Sequence, residues 1–461
     1  MPERILLVVV LALVAIALVR TEPPVSAETN SPHGVDSSSF LYTVAKHYDP
    51  LAWMQGADRF PSGAAIMLHD SASNRPLVPA FAASADSAVS FDGKRVLFAG
   101  KSKPRDPWQI WEVPRAGGKP RRVSSGSEDC IRPFYLPGYP PEERVVYARK
   151  TAGRFVIEVA EISGGTPLPL TYGPADFLPT DILRDGRILL QTSYPVGTAA
   201  TPELYTVYSD GSGFESYRCD HGSARHEGKQ VNSGDIVFAS GSGLARFTSA
   251  LAKEVPVSAP AGNYIGEIAE TASGDWLLPW RADAKAHFQL MLWTPGTRAL
   301  RRSVTEQNAD AIQPTLIREQ VLPKRHPSGL HDWPNANLLC LNAYTSKYKF
   351  AADSIHSVRF YTRDGAGNTR LLGTAPVERD GSFFVHVPSE QPLQIELLDS
   401  AGGTLKRESG YFWMRRGEQR ICVGCHAGPE TAPENAVPKI LLKSTTPTDM
   451  TGGTTIASGG H

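Results

Sequence analysis

Short runs of apolar residues alternate with polar residues along most of the chain, in the period-two pattern of β-strands that bury one face. For example, Leu393, Ile395 and Leu397 alternate with Gln394 and Glu396. The 41 glycines and 37 prolines exceed the average share of these turn-forming residues. The pattern therefore predicts an all-β protein with many short strands and many turns.

One unit of this pattern recurs at intervals of roughly 40 to 48 residues, the length of a β-propeller blade. In each unit a turn that contains glycine leads into an apolar strand, as at Asp92-Gly93, at Asp185-Gly186 and, in reverse order, at Gly234-Asp235. Residues 40–322 have room for about six such blades. We therefore predict a β-propeller there. Short strands alone leave open one alternative, an open sandwich of meanders.

A second, smaller β domain is predicted after the propeller. A connector with two prolines, Pro327 and Pro334, separates the two regions. Beyond it apolar residues alternate again, as at Val358 and Phe360. Because such strands bury one face of a sheet, residues 336–415 are predicted to form a small β-sandwich.

The most specific motif follows this domain and reads Cys422-Val423-Gly424-Cys425-His426. The CxxCH spacing is that of c-type haem attachment, in which each thiol bonds one vinyl group of the porphyrin. The histidine then becomes the proximal ligand of the iron. We therefore predict one covalently attached haem c, with Cys422 and Cys425 as attachment points and His426 as the iron ligand.

Two other interpretations of the motif are a disulfide and half of a structural zinc site. A zinc site of that kind needs a second ligand pair at similar spacing, and a redox CxxC needs a βαβ context. Neither feature is visible in the sequence. The predicted haem-binding segment, residues 416–461, is too short for a complete cytochrome c fold. The sandwich or the propeller is therefore expected to complete the haem pocket.

Several residues around the motif are candidates for the rest of a haem site. The apolar wall of the pocket, or alternatively an ordinary core strand, is expected from Tyr411, Phe412, Trp413 and Met414. A sixth iron ligand is sought among Met414, Met450, His326, His331 and His461. A basic cluster either pairs haem propionates or an anionic substrate or lies on a solvated face, and it consists of Arg415, Arg416 and Arg420.

Residues 1–27 have the features of a secretory signal peptide. Arg4 precedes an apolar run over residues 5–19, and Val25-Ser26-Ala27 offers a small-residue cleavage site. The run is shorter than the roughly 20 residues that span a bilayer, which favours cleavage over the alternative, an uncleaved anchor. No later stretch of the sequence is long and apolar enough to cross a membrane. We therefore predict a periplasmic or otherwise extracytoplasmic protein without a stable membrane span.

The charge balance argues against nucleic acid as a partner, because 47 basic residues offset 47 acidic ones. Outside the motif, a disulfide between two of Cys130, Cys219 and Cys340 is compatible with an oxidising compartment, but the sequence does not decide the pairing. His221 and His226 lie in a polar stretch, where solvated side chains are more common than a metal site.

Several segments resemble one known family. Residues 326–344, 376–385 and 412–418, which lead into the CxxCH motif, are similar to the middle domain of the hydrazine synthase alpha subunit. Residues 84–100 and 106–112 are similar to the propeller of the same family, and the repeats resemble those of TolB-like and WD-type propellers. The resemblance implies a propeller, a β middle domain and a c-type haem held by Cys422, Cys425 and His426.

The resemblance has limits that concern function. The alpha subunit of that family continues into a further haem domain that this sequence does not contain. Its active haem is associated with a tyrosine just after the motif, whereas here Glu430 follows the motif and no tyrosine lies beyond Tyr411. The resemblance therefore predicts fold and cofactor but not substrate.

Two functions fit these observations. The first is a cytochrome-like protein that binds haem and transfers electrons to a redox partner protein or within a complex. The second is a haem enzyme, or a redox subunit that binds a small ligand, with an open axial position on the iron. A scaffold with a structural haem is a third, and the sequence identifies no catalytic residues.

Overall fold

The computed structural model describes residues 39–70, 73–138, 143–193, 195–196, 199–218, 223–363, 367–425 and 435–452. All of them lie in one compact unit, Asp36–His461. The described residues are almost entirely β, with one short 3-10 helix (Ala52–Gln55) and one short α-helix, α1 (Lys439–Lys443), among them. No helix among these residues has the length and apolar character needed to cross a membrane.

The first part of the chain folds into a long series of short strands, numbered in chain order. The first half consists of β1 (Phe40–Ala45), β2 (Ala64–His69), β3 (Asn74–Pro76), β4 (Ala83–Val89), β5 (Arg95–Lys101), β6 (Gln109–Pro114), β7 (Arg121–Arg122), β8 (Cys130–Leu136), β9 (Arg144–Thr151), β10 (Arg154–Glu161) and β11 (Leu168–Pro169). The second half consists of β12 (Phe177–Ile182), β13 (Ile188–Thr192), β14 (Pro195–Val196), β15 (Ala199–Ala200), β16 (Glu203–Val207), β17 (Glu215–Ser216), β18 (His226–Gln230), β19 (Ile236–Ser240), β20 (Gly243–Phe247), β21 (Val255–Pro256), β22 (Asn263–Tyr264), β23 (Ala269–Glu270), β24 (Trp276–Arg281), β25 (Gln289–Trp293), β26 (Leu300–Val304) and β27 (Asp310–Leu316).

Apart from the two-stranded sheet β14-β15, these strands form six antiparallel sheets arranged as the blades of a propeller. The second to fifth blades have the orders β4-β5-β6-β7, β8-β9-β10-β11, β12-β13-β16-β17 and β18-β19-β20-β21. The sixth has the order β22-β24-β25-β26, with β23 also on β24. The first blade, β27-β1-β2-β3, takes its inner strand from the end of this region, where β27 pairs with β1 from Phe40↔Leu316 to Ala45↔Asp310. This pairing closes the ring, and the predicted propeller of about six blades is confirmed.

The turns that follow the inner strands explain why glycine recurs in the sequence repeat. In the second blade Gly93 has a φ of +71° and donates its N–H to the Ser90 carbonyl at 2.8 Å. Glycine enters this left-handed region without the steric cost that a Cβ brings. The recurrent glycines therefore indicated a repeated turn. The structure places this turn in successive blades.

Both ends of the ring are covered by chain. At one end lie residues 46–63, which link β1 to β2 and include the 3-10 helix. At the other end the segment after β27 donates hydrogen bonds to the inner turns of three blades: Arg318 to Glu270 O, Gln320 N–H to Phe91 O and Lys324 N–H to Arg184 O. These carbonyls belong to the sixth, second and fourth blades, so the segment crosses the end of the ring.

The last part of the chain forms a β-sandwich. Its strands are β28 (Asn335–Cys340), β29 (Ser357–Arg363), β30 (Thr369–Pro376), β31 (Phe383–Pro388), β32 (Leu393–Leu398), β33 (Thr404–Arg407), β34 (Gln419–Cys422) and β35 (Thr448–Asp449). One sheet has the order β34-β28-β31-β35 and the other β30-β29-β32-β33. The alternating residues Val358, Phe360, Phe383 and Val385 are buried between them, as the period-two pattern requires.

Candidate functional site

The CxxCH motif begins on an edge strand of the sandwich. β34 lies beside β28 in parallel register, with Cys340 opposite Cys422, and Leu341 N–H donates to the Cys422 carbonyl at 2.9 Å. Cys422 and Cys425 are both half-buried. His426, the predicted iron ligand, lies outside the described residues.

The turn after β34 depends on Gly424. A Cβ at this position would lie 2.1 Å from the Thr345 carbonyl oxygen and 2.9 Å from that of Asn342. Any other residue would therefore push the chain away from the loop that follows β28. Glycine at this position lets the motif fold back so that Cys425 also contacts the sandwich core, as Cys422 does.

Both motif cysteines line a cleft of about 710 Å³ between the sandwich and the fourth blade of the propeller. The apolar residues of the sandwich side include Leu338, Phe350, Phe383, Ile395, Leu397 and Phe412. The propeller side includes Tyr205, Phe214 and Tyr217, and Cys340 lies beside the motif thiols. Sites for small molecules and cofactors have this size and this apolar character.

The four residues before the motif do not act as one wall. Tyr411 and Phe412 line the cleft. Trp413 is fully buried against the propeller, where its ring stacks on Phe214 at a centroid distance of 3.7 Å and its indole N–H donates to Leu170 O at 3.1 Å. Met414 is buried in the sandwich core. The prediction of a haem wall is therefore wrong for Trp413 and Met414. Trp413 joins the sandwich to the propeller, and Met414 fills the core of the sandwich.

The basic cluster is also divided. Arg415 is buried, pairs with Glu390 at 2.9 Å and hydrogen-bonds the Tyr172 hydroxyl, so it connects the sandwich to the propeller. Arg416 is exposed, and neither residue lines the cleft. Arg420 does line it and is paired with Glu418 at 2.6 Å. The expectation that all three arginines serve one anionic group is therefore wrong.

Three basic residues of the cleft were missed by the sequence interpretation. They lie far from the motif in sequence and are Arg187, Arg218 and Lys406. Arg187 and Arg218 come from the fourth blade, and Lys406 comes from β33 with its ammonium 4.1 Å from the centre of the Tyr348 ring. Because the fold alone brings these residues to the motif, no local pattern could have identified them.

None of the described candidates for the sixth iron ligand lines the cleft. Met414 and Met450 are buried in the sandwich core, with exposed fractions of 0% and 1%. His326 stacks on Tyr208 at 3.7 Å, and His331 stacks on Trp333 at 4.5 Å. The last candidate, His461, lies outside the described residues.

The thiols in the cleft differ in acidity. Hydrogen bonding between the Cys340 and Cys425 thiols lowers the pKa of Cys425 and, together with burial, raises that of Cys340. Burial raises the pKa of Cys422 to about 11. Cys425 is therefore the most readily ionised of the three, and the thiolate is the reactive form of cysteine.

A second cluster of polar and charged groups lies on the propeller axis. Asp86, Arg132, Glu227 and Gln313 are buried on the inner strands of four blades and have φ values of +58°, +56°, +54° and +54°. Each lies in or beside an irregularity in the pairing of its strand. Such bulges redirect a side chain, and here they aim one polar side chain per blade at the axis, where Glu267 from the sixth blade joins them.

The axial groups pair with one another and with the loop that covers the ring. Arg132 pairs with Glu227 and, at 3.2 Å, with Glu267, which also accepts a hydrogen bond from the Tyr48 hydroxyl at 2.7 Å. Arg59 binds Asp86 at 2.6 Å. In the ranges that the structure describes, no group of three or more His, Cys, Asp or Glu side chains is arranged to hold a metal ion.

Burial, followed by repulsion from Glu227, raises the pKa of Glu267 to about 7. His226 begins β18 and is buried, which lowers its pKa. The expectation of a solvated side chain is therefore wrong for His226, while His221 lies outside the described residues.

Comparison with known proteins supports the resemblance found in the sequence. Residues 345–427 match the family model described as the hydrazine synthase alpha subunit middle domain. Hydrazine synthase from Kuenenia stuttgartiensis is similar in structure, with a TM-score of 0.76 and 16% identity over 88% of this chain and 71% of that one. A putative TolB from Agrobacterium tumefaciens matches with a TM-score of 0.39 and 15% identity, over 57% of this chain and 87% of that one. No curated protein sequence matches this chain. Residues 345–427 are therefore similar to the hydrazine synthase alpha subunit middle domain, and most of this chain has the same fold as the hydrazine synthase structure.

Proposed function

We propose that this protein is an extracytoplasmic, cytochrome-like redox protein that carries one haem c in the cleft between the propeller and the sandwich. One observation carries the proposal: both cysteines of the CxxCH motif line the same cleft of about 710 Å³. A motif that was only a disulfide or a surface turn would need no apolar cavity beside it. The match of residues 345–427 to the middle-domain family also supports the proposal.

The residues of the cleft suit a haem in three respects. Cys422 and Cys425 provide the two thiols that bond the vinyl groups, and His426 follows as the iron ligand. Aromatic and aliphatic side chains cover both faces of the space, among them Phe214 and Phe412. Four basic residues line the cleft and would supply positive charge for two propionates: Arg187, Arg218, Lys406 and Arg420. A haem held there would supply a one-electron iron centre.

The use of that iron centre would depend on whether its sixth coordination position is occupied. A closed position suits electron transfer with a redox partner protein or another subunit. An open position suits the binding of a small ligand. The second use is favoured by a specific observation: the four candidate ligands that the structure describes, Met414, Met450, His326 and His331, all lie away from the cleft. The similarity to hydrazine synthase supports the fold and does not carry over the chemistry of that enzyme.

The proposal is tested by optical spectra of the matured protein, oxidised and dithionite-reduced, before and after carbon monoxide is added. A high-spin spectrum that shifts with carbon monoxide is the expected result and indicates an open iron. A low-spin spectrum that ignores carbon monoxide would indicate a closed iron and electron transfer. No haem absorption after expression with the haem-insertion machinery would overturn the proposal.

The attachment points are tested with pyridine haemochrome spectra. Cys425→Ala is expected to shift the band from its two-thioether position, because one vinyl group stays free. The matched control is Cys130→Ala, which removes a buried thiol of the propeller. An unchanged band in Cys425→Ala would refute attachment at that residue.

The extracytoplasmic location is tested by fractionation of cells and by sequencing of the mature N-terminus. Cleavage after Ala27 and recovery in the periplasmic fraction are expected. A retained apolar segment in the membrane fraction would support the uncleaved anchor instead. These outcomes do not depend on the haem.

A further inference from the structure

A small pocket lies where the loop that covers one end of the ring, residues 46–63, meets the second and third blades. Its volume is about 160 Å³, and it shares no residue with the cleft that contains the motif cysteines. Sites for drug-sized ligands have volumes of about 300–1,000 Å³. An occupant of this pocket is therefore a much smaller molecule than a haem.

The walls of the pocket are aromatic and buried. Trp53 comes from the 3-10 helix of the loop, which ends at Gly56, where the φ of +71° turns the chain. Trp108 lies directly before β6 and Phe155 lies in β10, and the three side chains are 1%, 4% and 7% exposed. Both indole N–H groups are occupied by hydrogen bonds within the protein. The rings therefore offer apolar surface to an occupant, while the rim at Gly56 and Ala57 is exposed.

The pocket is also lined by four charged residues, Asp58, Arg59, Asp129 and Lys150. Two of them are already bonded within the protein. Arg59 donates two hydrogen bonds to the Asp86 carboxylate, at 3.0 and 2.6 Å. Asp58 accepts a hydrogen bond from the Trp108 indole at 3.2 Å and lies 3.8 Å from the Lys101 ammonium. These two side chains therefore have partners without a ligand.

Asp129 and Lys150 have opposite charges and are not paired. They are neighbours along the backbone, because Lys150 N–H donates to the Asp129 carbonyl at 2.8 Å. One carboxylate oxygen of Asp129 accepts the Trp108 N–H at 2.9 Å, and the Lys150 ammonium lies 5.8 Å from the centre of the Phe155 ring. Among the described residues, neither side chain forms an ion pair. Since half-buried charges are stabilised by a partner of opposite sign, the pocket suits a molecule with one charge of each sign.

We propose that this pocket binds a free α-amino acid with a small aliphatic side chain. Its ammonium would pair with Asp129 and its carboxylate with Lys150, in charge-assisted hydrogen bonds. Its side chain would contact the rings of Trp53 and Trp108. An amine or a carboxylic acid alone would satisfy only one of the two charged residues. This binding site is separate from the proposed haem function and does not depend on it.

The proposal is tested by isothermal titration calorimetry on the full chain with glycine, L-alanine, L-valine and L-leucine. Saturable binding of at least one of them at a single site is expected. The tightest binder is then compared with the amine that lacks its carboxylate and the acid that lacks its ammonium, which for L-valine are isobutylamine and isovalerate. Each analogue should bind at least about tenfold more weakly, because it leaves one charged residue unpaired. An analogue that binds as tightly as the amino acid, or no binding of any of the four amino acids, would overturn the proposal.

Two variants connect the binding to the charged pair. Asp129→Asn keeps the oxygen that accepts the Trp108 N–H, and Lys150→Met keeps an unbranched apolar side chain beside Phe155. Each should weaken amino acid binding at least about tenfold, while Lys150→Met should bind the amine at least as tightly as the wild type does. The matched control, Lys253→Met, removes an exposed charge of the fifth blade and should bind as the wild type does. Unchanged affinity for the amino acid in Asp129→Asn or Lys150→Met would refute the proposal and leave the haem function untouched.

Discussion

The replacement of Trp413 by alanine tests how the sandwich is joined to the propeller. The indole is fully buried, stacks on Phe214 and donates to Leu170 O across the interface. It also lies directly behind the propeller wall of the cleft, because Phe214 lines that wall. One side chain therefore supports both the contact between the domains and the shape of the site.

The expected loss follows from two contributions. Truncation of a buried aromatic side chain to alanine costs about 3–5 kcal/mol. The Leu170 carbonyl also loses its donor, and a buried polar group without a partner costs about 1–3 kcal/mol. Partial collapse of the cavity and entry of water reduce the sum, so we expect the free energy of unfolding to fall by about 4 kcal/mol.

Urea unfolding followed by far-UV circular dichroism measures this loss without using the fluorescence of the missing indole. Trp333→Ala is the matched control, because Trp333 is 46% exposed and contacts His331 in the connector. Its expected effect is below about 1 kcal/mol, as for most exposed positions. If the two variants unfold at the same urea concentration, the reasoning about Trp413 is refuted.

Three further predictions concern other parts of the molecule. The raised pKa of Glu267 means that the folded state holds its proton more tightly than the unfolded state, so stability should fall as the pH rises from about 4.5 to about 7. Glu267→Gln should flatten that part of the curve of urea midpoint against pH, and an unchanged slope would contradict the assignment. Gly424→Ala should reduce the haemochrome yield several-fold because of the backbone clash, whereas Gly329→Ala, with open space around it, should not; equal yields would refute the close approach. Arg415→Ala should cost about 2 kcal/mol because it removes a buried side chain together with its bonds to Glu390 and to the Tyr172 hydroxyl, and Arg416→Ala should cost less than about 0.5 kcal/mol; similar melting temperatures would show that Arg415 does not join the two domains.

Much of the fold could be predicted from the sequence because local physics repeats in every blade. The turn at Asp92-Gly93 and its counterparts need a left-handed glycine, and the strands between turns need alternating burial. The closure of the ring could not be predicted in this way. It pairs β1 with β27, two strands at opposite ends of the propeller, and no local pattern records that contact.

The site was predicted only where it is continuous in sequence. The CxxCH spacing identified Cys422 and Cys425, and both line the cleft. The opposite wall comes from residues such as Phe214, which lie far from the motif in sequence. Met450 failed as a candidate ligand because a methionine in a polar tail gives no sign of burial in a sandwich core. The burial of Arg415 was not predicted, because a run of basic residues usually lies in solvent.

The charged residues on the propeller axis hold the loop that covers one end of the ring. Many β-propellers have a central hole that serves as a binding site. Here Arg59 and Tyr48 cover one end of the hole, and the segment after β27 crosses the other end. Both ends of the ring are therefore covered by chain. The cleft that contains the motif cysteines lies at the side of the ring, beside β17 of the fourth blade. A partner molecule must therefore approach from that side. A protein that exchanges electrons with a haem in the cleft would dock on that flank, and substitutions at either mouth of the ring would leave its docking rate unchanged.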